Sequence, residues 1–189
     1  GIMRSPTTIP ILSKNLIGSL NDDCQTTLFG HTFSVDRLRN PRTSEYNVTL
    51  NGQDVFSLHP AQLIVERQET LTSLFRSWSG PYDPDTNLNV FRATYSLKRV
   101  ATLIALDEAA KMENFTFWAF SRMDVNYVVP VRLPSTLRHS DIAVPNFAHN
   151  LGVNDRFAIG WRSAMIAYSE QFDDLVWNKG LVRPSNWTG

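Results

Sequence analysis

Residues 89–112 constrain this chain more than any other stretch. Tyr95, Val100, Leu103, Ile104 and Ala109 recur at helical spacing, while Lys98, Arg99, Asp107, Glu108 and Lys111 fall largely on other faces. The first turn carries no Gly or Pro, so a long amphipathic helix is expected there. Directly after it, residues 115–121 read F-T-F-W-A-F-S. This aromatic run is expected to be a strand buried on both faces. A long helix feeding such a strand needs a sheet on which both can pack.

The rest of the chain supplies candidates for that sheet. Residues 26–29 and 63–65 read as short buried strands, and 127–129 and 142–144 as further short ones. Residues 9–20 repeat apolar positions at helical spacing through Ile11, Leu12, Leu16, Ile17 and Leu20. Residues 69–78 and 164–172 read as helices as well. The polar segment 34–53 is expected to be a surface loop with a hairpin strand near 46–50, and 79–87, with two prolines, another loop. Strands alternating with helices imply an α/β fold with a mostly parallel sheet. Internal repeats, linkers and low-complexity segments are not visible, so residues 1–189 are read as a single domain.

Composition narrows the function classes. Eighteen basic residues balance eighteen acidic ones. That balance gives no basic excess for nucleic acid and no polybasic run for an anionic membrane. A membrane span would need roughly 18 consecutive apolar residues, and no such run occurs. The single cysteine, Cys24, excludes an internal disulfide and a thiolate metal cluster; it reads as a small buried hydrophobe. Sequons at Asn47, Asn114 and Asn186 do not decide between a secretory lumen such as the Golgi and the cytoplasm.

In open α/β sheets, ligands gather outside the carboxyl ends of the strands. That rule selects residues 1–5, the region of His31 and the turn at 122–124. Asp124 follows an aromatic run in which an unpaired carboxylate would be costly to bury. At a strand end it could instead face a cleft and bind a hard divalent cation. Arg122, two residues earlier, could pair with Asp124 or hold a phosphate, and a purely structural ion pair is the plainer alternative. The polar group Asn154, Asp155 and Arg156 lies between Val153 and Phe157. Its plainest reading is a helix N-cap, and a carboxylate there is also well placed as a general base. His149 is a candidate metal ligand, with an exposed loop histidine as the alternative. His59 and His139 read as surface residues. The signature motifs of serine hydrolases, zinc proteases, P-loop enzymes and dinucleotide oxidoreductases are missing.

Taken in order, these segments resemble a diffuse family of small glycosyltransferases that includes chlorovirus-encoded enzymes. Gly1-Ile2-Met3-Arg4-Ser5 resembles its G-x-x-R-[S/T] turn after the first strand. Phe29-Gly30-His31-Thr32-Phe33 resembles its second-strand element, and Leu63-Ile64-Val65-Glu66-Arg67-Gln68 its third. Phe120-Ser121-Arg122-Met123-Asp124 resembles its R-x-D, the local form of a D-x-D metal motif. The most specific match is Gly152-Val153-Asn154-Asp155-Arg156-Phe157-Ala158-Ile159-Gly160, followed by Met165 and Tyr168. The matches are collinear over nearly the whole chain.

The resemblance implies a GT-A-like (Rossmann-like) fold, with a central sheet flanked by helices. It implies a UDP- or GDP-sugar donor, Mn²⁺ or Mg²⁺, and a glycan or other hydroxyl acceptor. Asp124 would hold the metal, with His149 as a further candidate, and Asp155 would be the catalytic base of an inverting single displacement. Arg4, Ser5, Arg122, Asn154 and Arg156 would contact the donor. Aromatic Trp78, Tyr82 and Trp161 could line an acceptor groove, although packing is the preferred reading for each. Two departures stand out. Arg122 occupies the first motif position where Asp is usual, leaving Asp124 as the carboxylate. The chain also starts at the turn that should follow the first strand, so that strand is expected to be absent or replaced. A non-catalytic sugar- or nucleotide-binding module and a nucleotide-sugar hydrolase are the alternatives.

Overall fold

The computed structural model describes residues 6–22, 24–35, 37–40, 45–49, 52–75, 83–146 and 155–178. The long helix, α4, spans Pro84–Lys111 and starts earlier than its apolar pattern predicts. Asp83 causes this. Its side chain accepts from the Thr86 N–H at 3.0 Å, and Pro84 takes the first turn, where its missing N–H costs nothing. Met112 closes the helix in the left-handed conformation.

The buried face of α4 also differs from the apolar stripe. Leu103 and Ile104 are buried as expected, but Ala109 is exposed while Asp107 and Glu108 are buried. Both acids have partners that offset burial. Glu108 takes Arg162 through both oxygens and the Phe115 N–H at 3.0 Å. Asp107 takes Lys111 at 2.7 Å and Gln62 at 3.4 Å.

The strands form three small sheets among the described residues. β1 (Phe29–Ser34) and β4 (Gln62–Arg67) pair in parallel, with His31 opposite Ile64 and Phe33 opposite Glu66. The long connection required by parallel pairing carries an antiparallel hairpin, β2 (Arg37–Asn40) and β3 (Glu45–Thr49). The third sheet has β7 (Phe157–Trp161) at its centre, flanked by β5 (Phe117–Ser121) and β6 (Ile142–Ala143), with both pairings antiparallel. The fold is therefore mixed α/β, with only the β1–β4 pair parallel among the described strands. β5 buries Trp118 and Phe120 and exposes Ala119, so it is covered on one face and not on both.

Several local expectations are also corrected. Residues 26–28 precede β1, and His31 lies within the strand. Residues 127–129 form no strand, and Asn15 ties the segment at Tyr127 and Val131. Its side chain donates to the Tyr127 carbonyl at 2.6 Å, and its carbonyl accepts from the Val131 N–H at 2.7 Å. Asp155 enters a strand, β7, and not a helix. Cys24 is exposed.

Helices cover the sheets. α1 (Ile9–Ile11), a π-helical stretch Leu12–Gly18 and α2 (Ser19–Asn21) run on continuously. They bury Leu12, Leu16 and Leu20 against Phe157 and Ile159. α3 (Gln68–Phe75) follows β4 directly. α5 (Arg162–Ser169) and α6 (Gln171–Asp173) follow β7 and lead into a π-helical turn, Asp174–Asn178. Met165 on α5 is fully buried beside Gly160, where a Cβ would come within 2.9 Å of the Asp141 carbonyl. Phe91, Met165 and Phe172 fill the core, each contributing about 1.5–3 kcal/mol relative to exposure. No described helix is long and apolar enough to cross a membrane.

Candidate functional site

Antiparallel register builds the site. Ser121, the last residue of β5, pairs with Phe157, the first of β7. The residues just past β5 therefore face those just before β7. The Arg122 N–H extends the ladder by one bond, donating to the Arg156 carbonyl at 3.0 Å. Two segments far apart in sequence thus deliver Arg122 and Asp124 from one side and Asp155 and Arg156 from the other. Thr8 anchors the first turn by donating its hydroxyl to the Met123 carbonyl at 3.0 Å.

The guanidinium of Arg122 organises the charges. Nε and Nη2 donate to the two Asp124 oxygens at 2.9 and 2.7 Å, a fork-on-carboxylate pair. Nη1 reaches Asp155 Oδ2 at 3.1 Å. The Asp124 hydrogen bonds, helped by the field of Asp155, hold Arg122 above the ordinary guanidinium range against the cost of burial. Asp155 is the open member, with 56% of its side chain exposed against 19% for Asp124. Arg122, Asp124, Val125, Asn126 and Arg156 line a polar cleft of about 330 Å³. Tyr127 hydrogen-bonds Ser121 at 2.8 Å beside it, and burial pushes its phenol up to about 12. Tyr168 stacks on Phe120, and its phenol is raised by burial first and by Asp155 second.

Of the residues singled out in the sequence, Arg122, Asp124, Asp155 and Arg156 come together. Arg4, Ser5, His149 and Asn154 lie outside the described residues, as do Trp78 and Tyr82. Trp161 belongs elsewhere. It sits at the far end of β7, about 13 Å beyond Phe157 at strand rise, where it stacks on His139 and packs against Phe117. The N-cap argument for Asp155 also fails, since the adjoining element is a strand. What orients its carboxylate is Arg122.

A second polar cluster surrounds His31, which lies inside β1 and not at an open strand end. His31 is buried at 3% exposure, with Nδ1 3.0 Å from Ser96 Oγ and Nε2 3.6 Å from Glu66 Oε2. Glu66 also accepts from the Tyr95 hydroxyl at 2.7 Å and from Arg99 at 2.8 and 2.7 Å. Burial lowers the His31 pKa to about 4, although Glu66 opposes this. Burial also pushes Glu66 up, but Tyr95 and Arg99 outweigh it and bring the carboxyl below its usual range. The clue in the sequence was the i, i+4 spacing of Tyr95 and Arg99, which puts both on one helix face, and a glutamate ending the apolar run of β4.

A divalent ion at this cleft would need oxygen donors. Among the described residues, no three His, Cys, Asp or Glu side chains gather to hold a metal. Magnesium-type ions are commonly held by one or two carboxylates plus substrate phosphates, and Asp124 offers one carboxylate on the cleft wall. In this structure Arg122 takes both Asp124 oxygens, so the described residues offer such an ion this one carboxylate only if the guanidinium gives it up. The chain matches no known protein-family model, no curated protein and no solved structure.

Proposed function

We propose that this chain is a glycosyltransferase using a nucleotide diphosphate sugar, with its donor and base at the cleft formed by residues 122–126 and 155–156. One observation carries the reading. Two cations, Arg122 and Arg156, and one carboxylate, Asp124, line one open polar cleft, and a second carboxylate, Asp155, is tied to Arg122 at 3.1 Å and stays accessible. The collinear resemblance of the sequence supports the same reading, and with it a GT-A-like arrangement of the sheet.

Arg122 and Arg156 offer positive charge to a diphosphate. Mn²⁺ or Mg²⁺ held through Asp124 would neutralise charge on the departing nucleotide. Asp155 takes the proton of the acceptor hydroxyl. The hydroxyl oxygen forms its bond to the anomeric carbon as the bond from that carbon to the diphosphate breaks, and the electron pair leaves with the phosphate oxygen. The outcome is inversion in one displacement. Arg122 holds Asp155 in place until the diphosphate draws the guanidinium away. A metal-independent nucleotide-binding module is the rival reading, and it draws on the same guanidinium, which already satisfies both Asp124 oxygens.

Calorimetric titration of UDP, GDP and other nucleotide diphosphates, with and without Mn²⁺, tests the reading on the parent and on Asp124→Ala. Metal-dependent binding lost in the variant is the expected result. Binding indifferent to both metal and Asp124 would transfer support to the binding module. No binding to a folded parent would sink the donor site.

A further inference from the structure

A half-buried cationic side chain away from this cleft differs in its partners from five other described arginines. Arg99, Arg122, Arg132, Arg138 and Arg162 each meet a carboxylate. Arg92, half-buried on α4, meets neutral oxygens. It donates to Thr72 Oγ1 at 2.8 Å and to Asn89 Oδ1 at 3.3 Å. The Gln68 amide, turned with its oxygen to the guanidinium, accepts from Nε at 2.8 Å. Burial pushes the Arg92 pKa down, and Asp85 and Glu69 counter only through their fields. These neutral oxygens occupy its N–H groups but leave its charge without a carboxylate, and the guanidinium fork matches phosphate and carboxylate.

The surroundings form a site. Gln68, Glu69, Thr72 and Arg92 line a cleft of about 240 Å³ between α3 and α4. That is below the roughly 300–1,000 Å³ of drug-sized pockets, so it suits one small molecule. Because α3 follows β4 directly, the cleft lies outside the carboxyl end of the parallel pair, where α/β sheets take ligands. Glu69 on the wall disfavours a bare anion and can accept from a hydroxyl.

We infer that this cleft binds a small hydroxylated oxyanion, a sugar phosphate or a sugar acid. Its anionic group takes the place of the Gln68 amide oxygen on Arg92, while the Thr72 hydroxyl stays bonded to the Gln68 backbone carbonyl at 3.0 Å, and a hydroxyl of the ligand donates to Glu69. The inference does not depend on the donor cleft at Asp124.

The test is calorimetric titration of glucose 6-phosphate, glucuronate, glucose and inorganic phosphate into the parent, Arg92→Gln and Asp124→Ala. The parent should bind glucose 6-phosphate, glucuronate or both in preference to glucose and to inorganic phosphate. Which of the two binds identifies the anionic group. Arg92→Gln should weaken that binding at least tenfold, and Asp124→Ala should leave it unchanged. The proposal is overturned if the parent binds neither sugar anion, if inorganic phosphate binds as well as they do, or if Arg92→Gln binds like the parent. Equal loss in Asp124→Ala would move the binding to the other cleft. Should Arg92→Gln not fold, Glu69→Gln decides: it should narrow the preference for glucose 6-phosphate over inorganic phosphate, and an unchanged preference would overturn the assignment.

Discussion

Glu66 and Asp124 each receive an arginine in close hydrogen bonds, at 2.7 Å from Arg99 and from Arg122 respectively. Around Glu66 the neighbours are Tyr95 and a His31 whose side chain is fully enclosed. Around Asp124 the neighbours are a second carboxylate, 56% exposed, and a cleft of about 330 Å³. The first cluster locks α4 onto β1 and β4. The second sits where two strands end, and its arginine is shared between two acids. Similar chemistry thus serves bracing in one place and leaves groups available to a ligand in the other. The two arginine–carboxylate pairs are similarly exposed; the difference lies in the further neighbour, an enclosed His31 in one cluster and an open second acid sharing the guanidinium in the other.

The largest effect expected from this contrast is on turnover. Asp155→Asn should cut sugar transfer by about 10²–10⁴, the usual worth of a positioned general base, while nucleotide binding stays near the parent's. Transfer at the parental rate would remove Asp155 from the chemistry and make the cleft resemble the bracing cluster.

Acid should separate the clusters next. The His31 pKa is depressed in the folded chain, so the unfolded chain binds its proton first. The stability gained from a neutral His31 is complete above its unfolded value of 6.5 and disappears as pH falls through about 4. Over that window the loss attributable to His31 is about 3 kcal/mol. Urea unfolding at pH 7 and pH 4.5 should show a steeper fall in the parent than in His31→Gln. Equal falls would mean that His31 is not held neutral by its surroundings.

The bracing cluster was hard to read from sequence for the same reason that it is stable. Its members come from β1, β4 and α4, and only tertiary packing brings His31, Glu66 and Ser96 together. The helix pattern did announce α4, but pattern alone put Asp107 and Glu108 outside. Arg162 and the Phe115 N–H, which make burial of Glu108 tolerable, belong to other segments. The cleft was more legible. Arg122, Asp124, Asp155 and Arg156 stood out because charged residues interrupt apolar runs at two points. What those runs did not reveal was their antiparallel pairing, because β7 reads as a continuation of a capped turn until Phe157 is seen opposite Ser121. The parallel-sheet expectation failed there, since the stretch between β5 and β7 carries β6 and no described helix to serve as a parallel crossover.

Glu66→Gln keeps the shape of the side chain and removes its charge. Arg99 and Tyr95 would lose a charge-assisted acceptor, worth about 1.5–3 kcal/mol for such bonds. The variant should unfold at lower urea with an unchanged slope. A changed slope would mean that the packing of α4 on the parallel pair had loosened more widely.

Asp124→Asn is the matching change at the cleft and should barely move stability. Arg122 keeps Asp155 as an acid partner at 3.1 Å, so its charge stays paired when Asp124 loses its own. The substitution should therefore cost less in urea unfolding than Glu66→Gln, yet abolish any metal-dependent binding of nucleotide diphosphate. Placing the two variants side by side gives the sharpest form of the comparison. If Asp124→Asn destabilises as much as Glu66→Gln, the Arg122 cluster is a brace like the other, and the polar cleft beside it is a consequence of the strands ending there.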